Sequence, residues 1–145
     1  MYSETLLGST DTFKVMIHHI DSLFGIALRI RYDPEIISIT GVIPGDVFSS
    51  ADFIFFPWVD SDYVALGYSL QARQDTLGVN LPQGVSPRSA TIAEIVYEAR
   101  GLGPTTLNFL QEEGKSPKLI DWQGNPLPRQ EHLYIENGEV EVYGP

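Results

Sequence analysis

Few residues in this sequence could perform catalysis or bind a metal ion. Cysteine is absent, which excludes disulfide bonds, thiolate ligands and cysteine nucleophiles together. The histidines are His18, His19 and His132, and none lies in a nucleophile motif or a metal-binding motif. His18 and His19 are adjacent on a predicted strand, so we expect them to face opposite sides and not to share a metal. We predict that the protein is not an enzyme.

Two short segments offer oxygen ligands without the spacing of a calcium loop. Residues 60–62 (Asp-Ser-Asp) and residues 121–125 both have the composition of turns, and neither supplies the ligand pattern that such a loop requires. Glu112 and Glu113 fall on a predicted loop, where we expect them to be solvated. The chain is therefore predicted to bind no metal and no cofactor of its own.

The composition predicts one globular domain that spans residues 1–145. Of these residues 43% are hydrophobic and 19% are charged, which is typical of a folded protein with a buried core. The net charge of −10 argues against nucleic-acid binding and against docking on anionic membranes. No apolar run approaches the ~20 residues of a membrane helix, so no membrane insertion is predicted. The N-terminus lacks a signal-peptide pattern, and we expect any export signal to lie outside this sequence.

A two-residue alternation of apolar and other side chains dominates the chain. In residues 24–32, Ile26, Leu28 and Ile30 point to one side of a predicted strand, and Pro34 ends that strand because it restricts the backbone before it. Similar alternation or strong β propensity predicts further strands at residues 13–18, 36–42, 52–58, 63–71, 91–100, 105–110, 132–136 and 139–143.

About eight or nine short strands with little helix predict an all-β fold. The expected architecture is a two-sheet β-sandwich of jelly-roll topology. Residues 73–88 contain two prolines and two glycines without a clear period, so we predict a long loop there. The Asn137-Gly138 pair is expected to join the last two strands as a hairpin.

A series of short motifs occurs in the order and spacing typical of one known family. The motifs are Ser9-Thr10-Asp11-Thr12-Phe13, Arg31-Tyr32-Asp33-Pro34 with Ile36-Ile37, Pro44-Gly45, Ile92 to Gly101, Gly103-Pro104-Thr105-Thr106-Leu107, Asp121 to Leu127, and Asn137-Gly138-Glu139-Val140-Glu141-Val142. With this series the chain resembles the cohesin family of secreted all-β scaffolding modules. Cohesins usually have one strand more at the start, for which only residues 2–7 remain here. We expect that strand to be truncated or short, and its absence would leave residues 139–143 as an edge open to self-association.

The resemblance implies a function without catalysis. Cohesins are sockets on scaffoldin proteins, and they bind dockerin modules carried by enzymes that degrade plant polysaccharides. The implied partner is therefore a dockerin-bearing protein, with calcium on the dockerin and not on this chain. The implied location is extracellular or at the cell surface.

Cohesins bind their partners through a flat four-stranded face. We predict that the corresponding face of this chain is formed by the outward side chains of residues 24–32, 63–71, 91–100 and 132–136. Small residues in succession weaken a strand unless another group approaches that strand closely. Here these small residues would form part of a partly apolar patch with a charged rim. A loop, such as residues 73–88, could cover them instead. Gly25 and Ala27 occupy positions where many cohesins have Asn or Asp. The predicted partner-binding residues are Ala27, Arg29, Arg31, Ala65, Gly67, Ser69, Ile92, Glu94, Val96, Glu98, Tyr134 and Glu136.

Two other functions remain open from the sequence. A carbohydrate-binding module shares the sandwich architecture and would bind a polysaccharide by stacking sugar rings on exposed Phe56, Trp58, Tyr63 or Trp122. We expect each of these four side chains to be packed in the core or under a loop instead. The third alternative is a structural module of a surface or secretion-associated protein.

Overall fold

The computed structural model describes residues 2–48, 53–71, 73–74, 80–81, 84–112, 114–127, 132–136 and 138–144. This part of the chain is built of β-strands, with one short 3₁₀ turn at Asp46–Phe48. It contains no helix that is long and apolar enough to cross a membrane. The strands are β1 Tyr2–Leu6, β2 Thr10–His18, β3 Gly25–Arg31, β4 Ile37–Pro44, β5 Phe53–Val59, β6 Tyr63–Leu70, β7 Arg73–Gln74, β8 Asn80–Leu81, β9 Ser89–Ala99, β10 Gly103–Thr106, β11 Asn108–Phe109, β12 Lys118–Ile120, β13 Leu133–Glu136 and β14 Glu139–Tyr143.

Two antiparallel sheets form the body of the molecule. A five-stranded sheet has the order β5-β6-β3, and β11 and β12 both pair with the remaining edge of β3. A four-stranded sheet has the order β13-β2-β9-β4. A third sheet has three strands in the order β1-β14-β10. It is connected to the five-stranded sheet, because β11 follows β10 closely in the chain and pairs with β3.

The core lies between the inner faces of the two main sheets. The inward side chains of β2, β3 and β6 are buried in one continuous hydrophobic cluster, as the alternation predicted. β9 also lines this cluster, with alternation on either side of an irregular position at Ile92 and Ala93. Tyr68 and Tyr97 are the largest fully buried side chains. The burial raises the pKa of Tyr68, whose hydroxyl donates a hydrogen bond of 2.8 Å to the Gly45 carbonyl. The predicted all-β sandwich is confirmed.

The turn after β3 explains the Tyr-Asp-Pro motif. β3 ends at Arg31, and the Asp33 carbonyl accepts hydrogen bonds from the amides of Ile36 and Ile37. The Asp33 carboxylate accepts a further bond of 2.9 Å from the Glu35 amide, and Thr105 binds the Asp33 amide at 2.8 Å. The motif therefore ends one strand and starts the next.

The first strand is short, as expected, but it leaves no open edge at the C-terminal strand. β1 pairs in parallel with β14 along five residues, and β10 pairs with the other side of β14. The first strand is present, so the condition under which residues 139–143 would form an exposed edge is not met, and the basis for self-association through that edge disappears.

The predicted long loop at residues 73–88 lies partly outside the described residues. Within the described part, β7 and β8 pair with each other, and Val85 forms a bridge with Leu23. The prediction that the last two strands form a hairpin is wrong. β13 and β14 form at the expected positions, but β13 pairs with β2, whereas β14 pairs with β1 and β10, so the two strands belong to different sheets. Asn137 itself lies outside the described residues.

Candidate functional site

The outer face of the five-stranded sheet carries small side chains near its centre. On β6 the outward positions are Ala65, Gly67 and Ser69, and opposite them on β3 stand Arg29, Ala27 and Gly25. The outward residues of β5 flank β6, and those of β12 flank β3. We call this surface the small-residue face, and we define it by Ile54, Phe56, Trp58, Ala65, Gly67, Ser69, Gly25, Ala27, Arg29, Lys118 and Ile120.

An open apolar trough crosses the small-residue face. Its floor is made by Gly25, Ala27 and Gly67, and its volume is about 320 Å³. The side chains that rise on either side belong to β5 and to β12, namely Ile54 and Phe56 on one side and Lys118 and Ile120 on the other.

Gly67 is not required by the fold. A Cβ atom added there would meet no atom within 4 Å, and the backbone does not have a positive φ. Gly45 differs, because a Cβ atom there would collide with the Thr91 carbonyl. Since glycine weakens a strand interior, nothing in the described packing requires one at this uncrowded position. The alternative that a loop shields the small side chains falls partly on residues outside the described part of the chain.

β5 exposes two large aromatic side chains beside this floor. Phe56 is 72% exposed and Trp58 is 65% exposed, and they pair with Gly67 and Ala65 at outward positions. The expectation that they pack in the core or under a loop is therefore wrong. Trp122 is also partly exposed, whereas Tyr63 is half-buried. Phe56 and Trp58 were predicted as buried because aromatic residues usually are.

The turn between β5 and β6 orients Trp58. The Asp60 carboxylate accepts hydrogen bonds from the Ser61 amide at 2.7 Å and from the Trp58 indole at 3.5 Å. The bond from the Ser61 amide, with help from Tyr63 and Trp58, lowers the pKa of Asp60. The same carboxylate raises the pKa of Tyr63 through their hydrogen bond.

The basic side chains of this sheet fall into two groups. Arg31 lies 3.8 Å from the Asp62 carboxylate and 3.3 Å from that of Glu112. Arg29 and Lys118 form no ion pair with any residue that the structure describes. In a chain with a net charge of −10, these residues place two positive charges on the β3–β12 side of the trough.

The predicted four-stranded binding face does not exist as a single surface. β3 and β6 are neighbours, but β9 and β13 belong to the opposite sheet. Half of the predicted residues therefore share the sheet of the small-residue face, namely Ala27, Arg29, Arg31, Ala65, Gly67 and Ser69. Five others lie on the outside of the other sheet, namely Glu94, Val96, Glu98, Tyr134 and Glu136.

Ile92 was predicted to face outward, and this prediction is wrong. β9 carries a bulge, because Ala93 pairs with Val15 while Thr91 pairs with Met16. The extra residue interrupts the alternation, and both Ile92 and Ala93 are fully buried.

The prediction omitted β5 and β12 from the face. β12 has only three residues, too few for an alternation to be visible. β5 offered one usable signal, since Pro57 within an aromatic strand is typical of a sheet edge. Large side chains on the outer face of an edge strand have fewer neighbours to cover them.

The histidines and the acidic turn do not form a metal site in the described residues. β2 ends at His18 and His19 has φ 50°, so their rings lie 5.4 Å apart instead of on opposite sides as predicted. The Asp121 carboxylate accepts hydrogen bonds from the amides of Gln123 and Asn125 and thereby stabilises its own turn. No described group of three or more histidine, aspartate or glutamate side chains could hold a metal ion.

The fold is that of the cohesins. No family model and no curated protein matches the sequence. Among solved structures, a non-cellulosomal cohesin of the archaeon Archaeoglobus fulgidus is similar to this chain, with a TM-score of 0.66 and 16% sequence identity. The alignment covers 99% of this chain and 83% of that cohesin. The second type II cohesin of the ScaA scaffoldin of Acetivibrio cellulolyticus aligns with 99% of this chain and 82% of its own length, with a TM-score of 0.69 and 15% sequence identity. The sixth cohesin of scaffoldin B of Acetivibrio cellulolyticus was solved in complex with a mutant Cel5 dockerin. It aligns with 98% of this chain and 94% of its own length, with a TM-score of 0.69 and 13% sequence identity.

Proposed function

We propose that this chain is a non-catalytic docking module that binds a dockerin-bearing protein through the small-residue face. The observation that carries the proposal is the open position above Gly67, flanked by exposed Phe56 and Trp58. A solved cohesin of the same fold is in complex with a dockerin. The proposal transfers that kind of partner to this chain.

The chemistry of the small-residue face suits a protein partner. A flat floor allows another backbone or a short side chain to approach closely, and the aromatic side chains supply apolar area at the centre of the contact. Arg29 and Lys118 lie beside that centre, where charged residues commonly form the rim of an interface. An apolar patch with a charged rim is typical of a protein-interaction site.

The proposal includes a setting and a metal requirement. The module would belong to an extracellular or cell-surface assembly for polysaccharide degradation, and the calcium would be bound by the dockerin. Removal of calcium with a chelator should abolish binding by unfolding the partner's loops, while the thermal unfolding of this chain alone should not change.

A single substitution tests the proposed face. Gly67→Arg adds a long side chain above the floor where nothing blocks it, so the fold should tolerate the change. Thr12→Arg is the matched control, because Thr12 is exposed on the outside of the opposite sheet. We would measure the affinity for a panel of calcium-loaded dockerins by calorimetry. Loss of binding with Gly67→Arg alone supports the proposal, and equal affinities for all three proteins contradict it.

Carbohydrate binding is the second candidate, favoured by one observation. Phe56 and Trp58 are both exposed and two residues apart on one strand face, a spacing of roughly 7 Å over which two rings could stack on successive sugars. Affinity electrophoresis in gels that contain soluble polysaccharide tests this candidate. Retardation of the wild type that is lost in Trp58→Ala would support it, and equal migration of the two proteins would exclude it for the polysaccharides used.

A further inference from the structure

We propose that β1 is exchanged between two copies of this chain, so that β1 of each copy pairs with β14 of the other. This inference does not depend on the proposed function, because β1 and β14 contribute no residue to the small-residue face. Four features of the structure support it: the weak anchoring of β1, the groove that β1 fills, the turn that joins β1 to β2, and an apolar row beside that turn.

β1 is held mainly by its backbone. Its five residues pair in parallel with β14 at the edge of a three-stranded sheet. Among residues 3–6, Thr5 has the one buried side chain, whereas Glu4 and Leu6 are exposed. A strand that buries so little apolar surface leaves its sheet at a far smaller free-energy cost than a strand of the core.

The groove along β14 requires a strand with a hydroxyl group at one position. The Tyr97 side chain is fully buried, and its hydroxyl lies 2.9 Å from Thr5 Oγ1. Thr5 Oγ1 also donates a bond of 3.4 Å to the Asp11 carboxylate. Without Thr5 the Tyr97 hydroxyl would lose this partner, and a buried polar group without a partner is unfavourable. The segment that meets the requirement is β1, from the same copy or from a second one.

The turn between β1 and β2 depends on Gly8. The Ser9 amide donates a hydrogen bond of 2.9 Å to the Leu6 carbonyl, which closes a four-residue β-turn. Gly8 has φ 89°, a conformation that residues with a Cβ atom rarely adopt. A connection this short opens into an extended segment when the closed turn is disfavoured, and β1 then reaches a second copy. Because both arrangements contain the same strand pairing, the hinge and the protein concentration decide between them.

An exposed apolar row lies beside this hinge. Leu6 stands opposite Tyr143 on β14. Leu102 comes directly before Gly103, the first residue of β10, and so continues the row on the other side of β14. Leu6, Tyr143 and Leu102 are 42%, 49% and 61% exposed. In an exchanged dimer the two hinges cross beside these rows and cover apolar surface, which favours a second copy as the occupant of the groove.

Mixtures of single-cysteine variants test the exchange, since the chain has no cysteine of its own. Glu4 and Glu141 lie opposite each other on β1 and β14, and adjacent strands are close enough for a disulfide bond. Concentrated Glu4→Cys and Glu141→Cys proteins would be mixed and oxidised, and mass spectrometry would identify the linked peptides. We expect a disulfide bond between positions 4 and 141 of different chains. Thr12→Cys mixed with Val96→Cys is the matched control, because these residues also lie opposite each other, but on central strands of the other sheet.

Substitutions at the hinge sharpen the test. Gly8→Val should raise the association constant of the dimer about tenfold or more, because a β-branched residue disfavours the positive φ of the closed turn. Gly8→Asn is the matched control and should keep the wild-type constant, since asparagine tolerates that conformation. Leu102→Glu should lower the constant, because like charges would meet where the hinges cross. Analytical ultracentrifugation measures all three variants.

Each outcome decides a defined point. A link between positions 4 and 141 that exceeds the control link and increases with Gly8→Val supports the exchange. Absence of that link above the control level in both backgrounds overturns it, even if ultracentrifugation shows a dimer, because the dimer would then use another surface. If circular dichroism shows that Gly8→Val is unfolded, the mixture with the wild-type hinge decides alone. An association constant that Leu102→Glu leaves unchanged overturns the role of the apolar row.

Discussion

The two outer faces of the sandwich differ, although the two inner faces follow one pattern. On the four-stranded sheet Lys14 lies between Glu94 and Glu136, 3.8 Å from the carboxylate of Glu94. This arrangement of alternating charges is typical of a solvated sheet surface. At the corresponding place on the five-stranded sheet stand Gly67 and the exposed ring of Phe56.

The difference separates the residues that specify the fold from those that are free to serve function. Both inner faces bury large apolar side chains at every second position, which stabilises the sandwich. The charged outer face adds solubility. The small-residue face lacks large buried groups and places apolar rings in water, which is why we propose it as the binding face.

The largest expected effect compares an inner residue with its outer neighbour. Ile30 is fully buried, and Ile30→Ala should reduce the free energy of unfolding by about 2–5 kcal/mol, because it removes contacts and leaves a cavity. Arg29→Ala, one residue earlier on the outer face, should change it by at most about 0.5 kcal/mol. Urea denaturation measures both values. Similar losses in the two variants would contradict the assignment of inner and outer faces.

The second comparison concerns two glycines. Gly45→Ala should destabilise the protein by roughly 1–3 kcal/mol, because the new methyl group collides with the Thr91 backbone. Gly67→Ala should be neutral or stabilising by up to about 1 kcal/mol, because the new group has open space above it and restricts the unfolded chain. Thermal and urea unfolding check this pair, and a large loss with Gly67→Ala would mean that the fold does require that glycine.

A third pair compares aromatic residues on the two outer faces. Trp58→Ala should weaken dockerin binding by about 1–2 kcal/mol, as expected for an aromatic residue near the centre of an interface. Tyr134→Ala removes an exposed aromatic side chain from the opposite sheet and should leave the affinity unchanged. Calorimetry with one dockerin and both variants distinguishes the faces. A larger loss with Tyr134→Ala would favour the opposite sheet.

The smallest expected effect is a response of Trp58 to acid. The lowered pKa of Asp60 means that its ionised form favours the folded turn. This contribution is complete above the ordinary aspartate pKa of about 4 and is lost as the pH falls through the lowered value. In a Trp122→Phe background, the emission of Trp58 should change over that acidic range. Asp60→Asn should remove the transition, and its persistence in that variant would assign it to another group.

The sequence predicted the strands and their inner residues well because alternation is a local property. The outward and inward residues of β2, β3 and β6 follow directly from it. Alternation does not specify which strands pair, so β9 and β13 were assigned to the wrong face. A bulge in β9 turns the side chain of Ile92 inward. That bulge is a feature of the pairing between β9 and β2, which alternation alone does not specify.

Only part of the candidate site could therefore be predicted from the sequence. Ala65, Gly67 and Ser69 were recognisable because small residues in succession are unfavourable in a strand. The exposure of Phe56 and Trp58 depends on β5 being an edge strand, which emerges only from the order of the sheet. Lys118 and Ile120 reach the face through a three-residue strand that long-range pairing creates.

Nuclear magnetic resonance can map the contact and decide which outer face binds the partner. Isotope-labelled protein would be titrated with a calcium-loaded dockerin, and the amide and methyl signals of both outer faces would be followed. We expect shifts for Ala27, Ala65, Gly67 and the Trp58 indole, with unchanged signals for Thr12 and Val96. Shifts centred on Thr12 and Val96, with the signals of Gly67 and Trp58 unmoved, would contradict it.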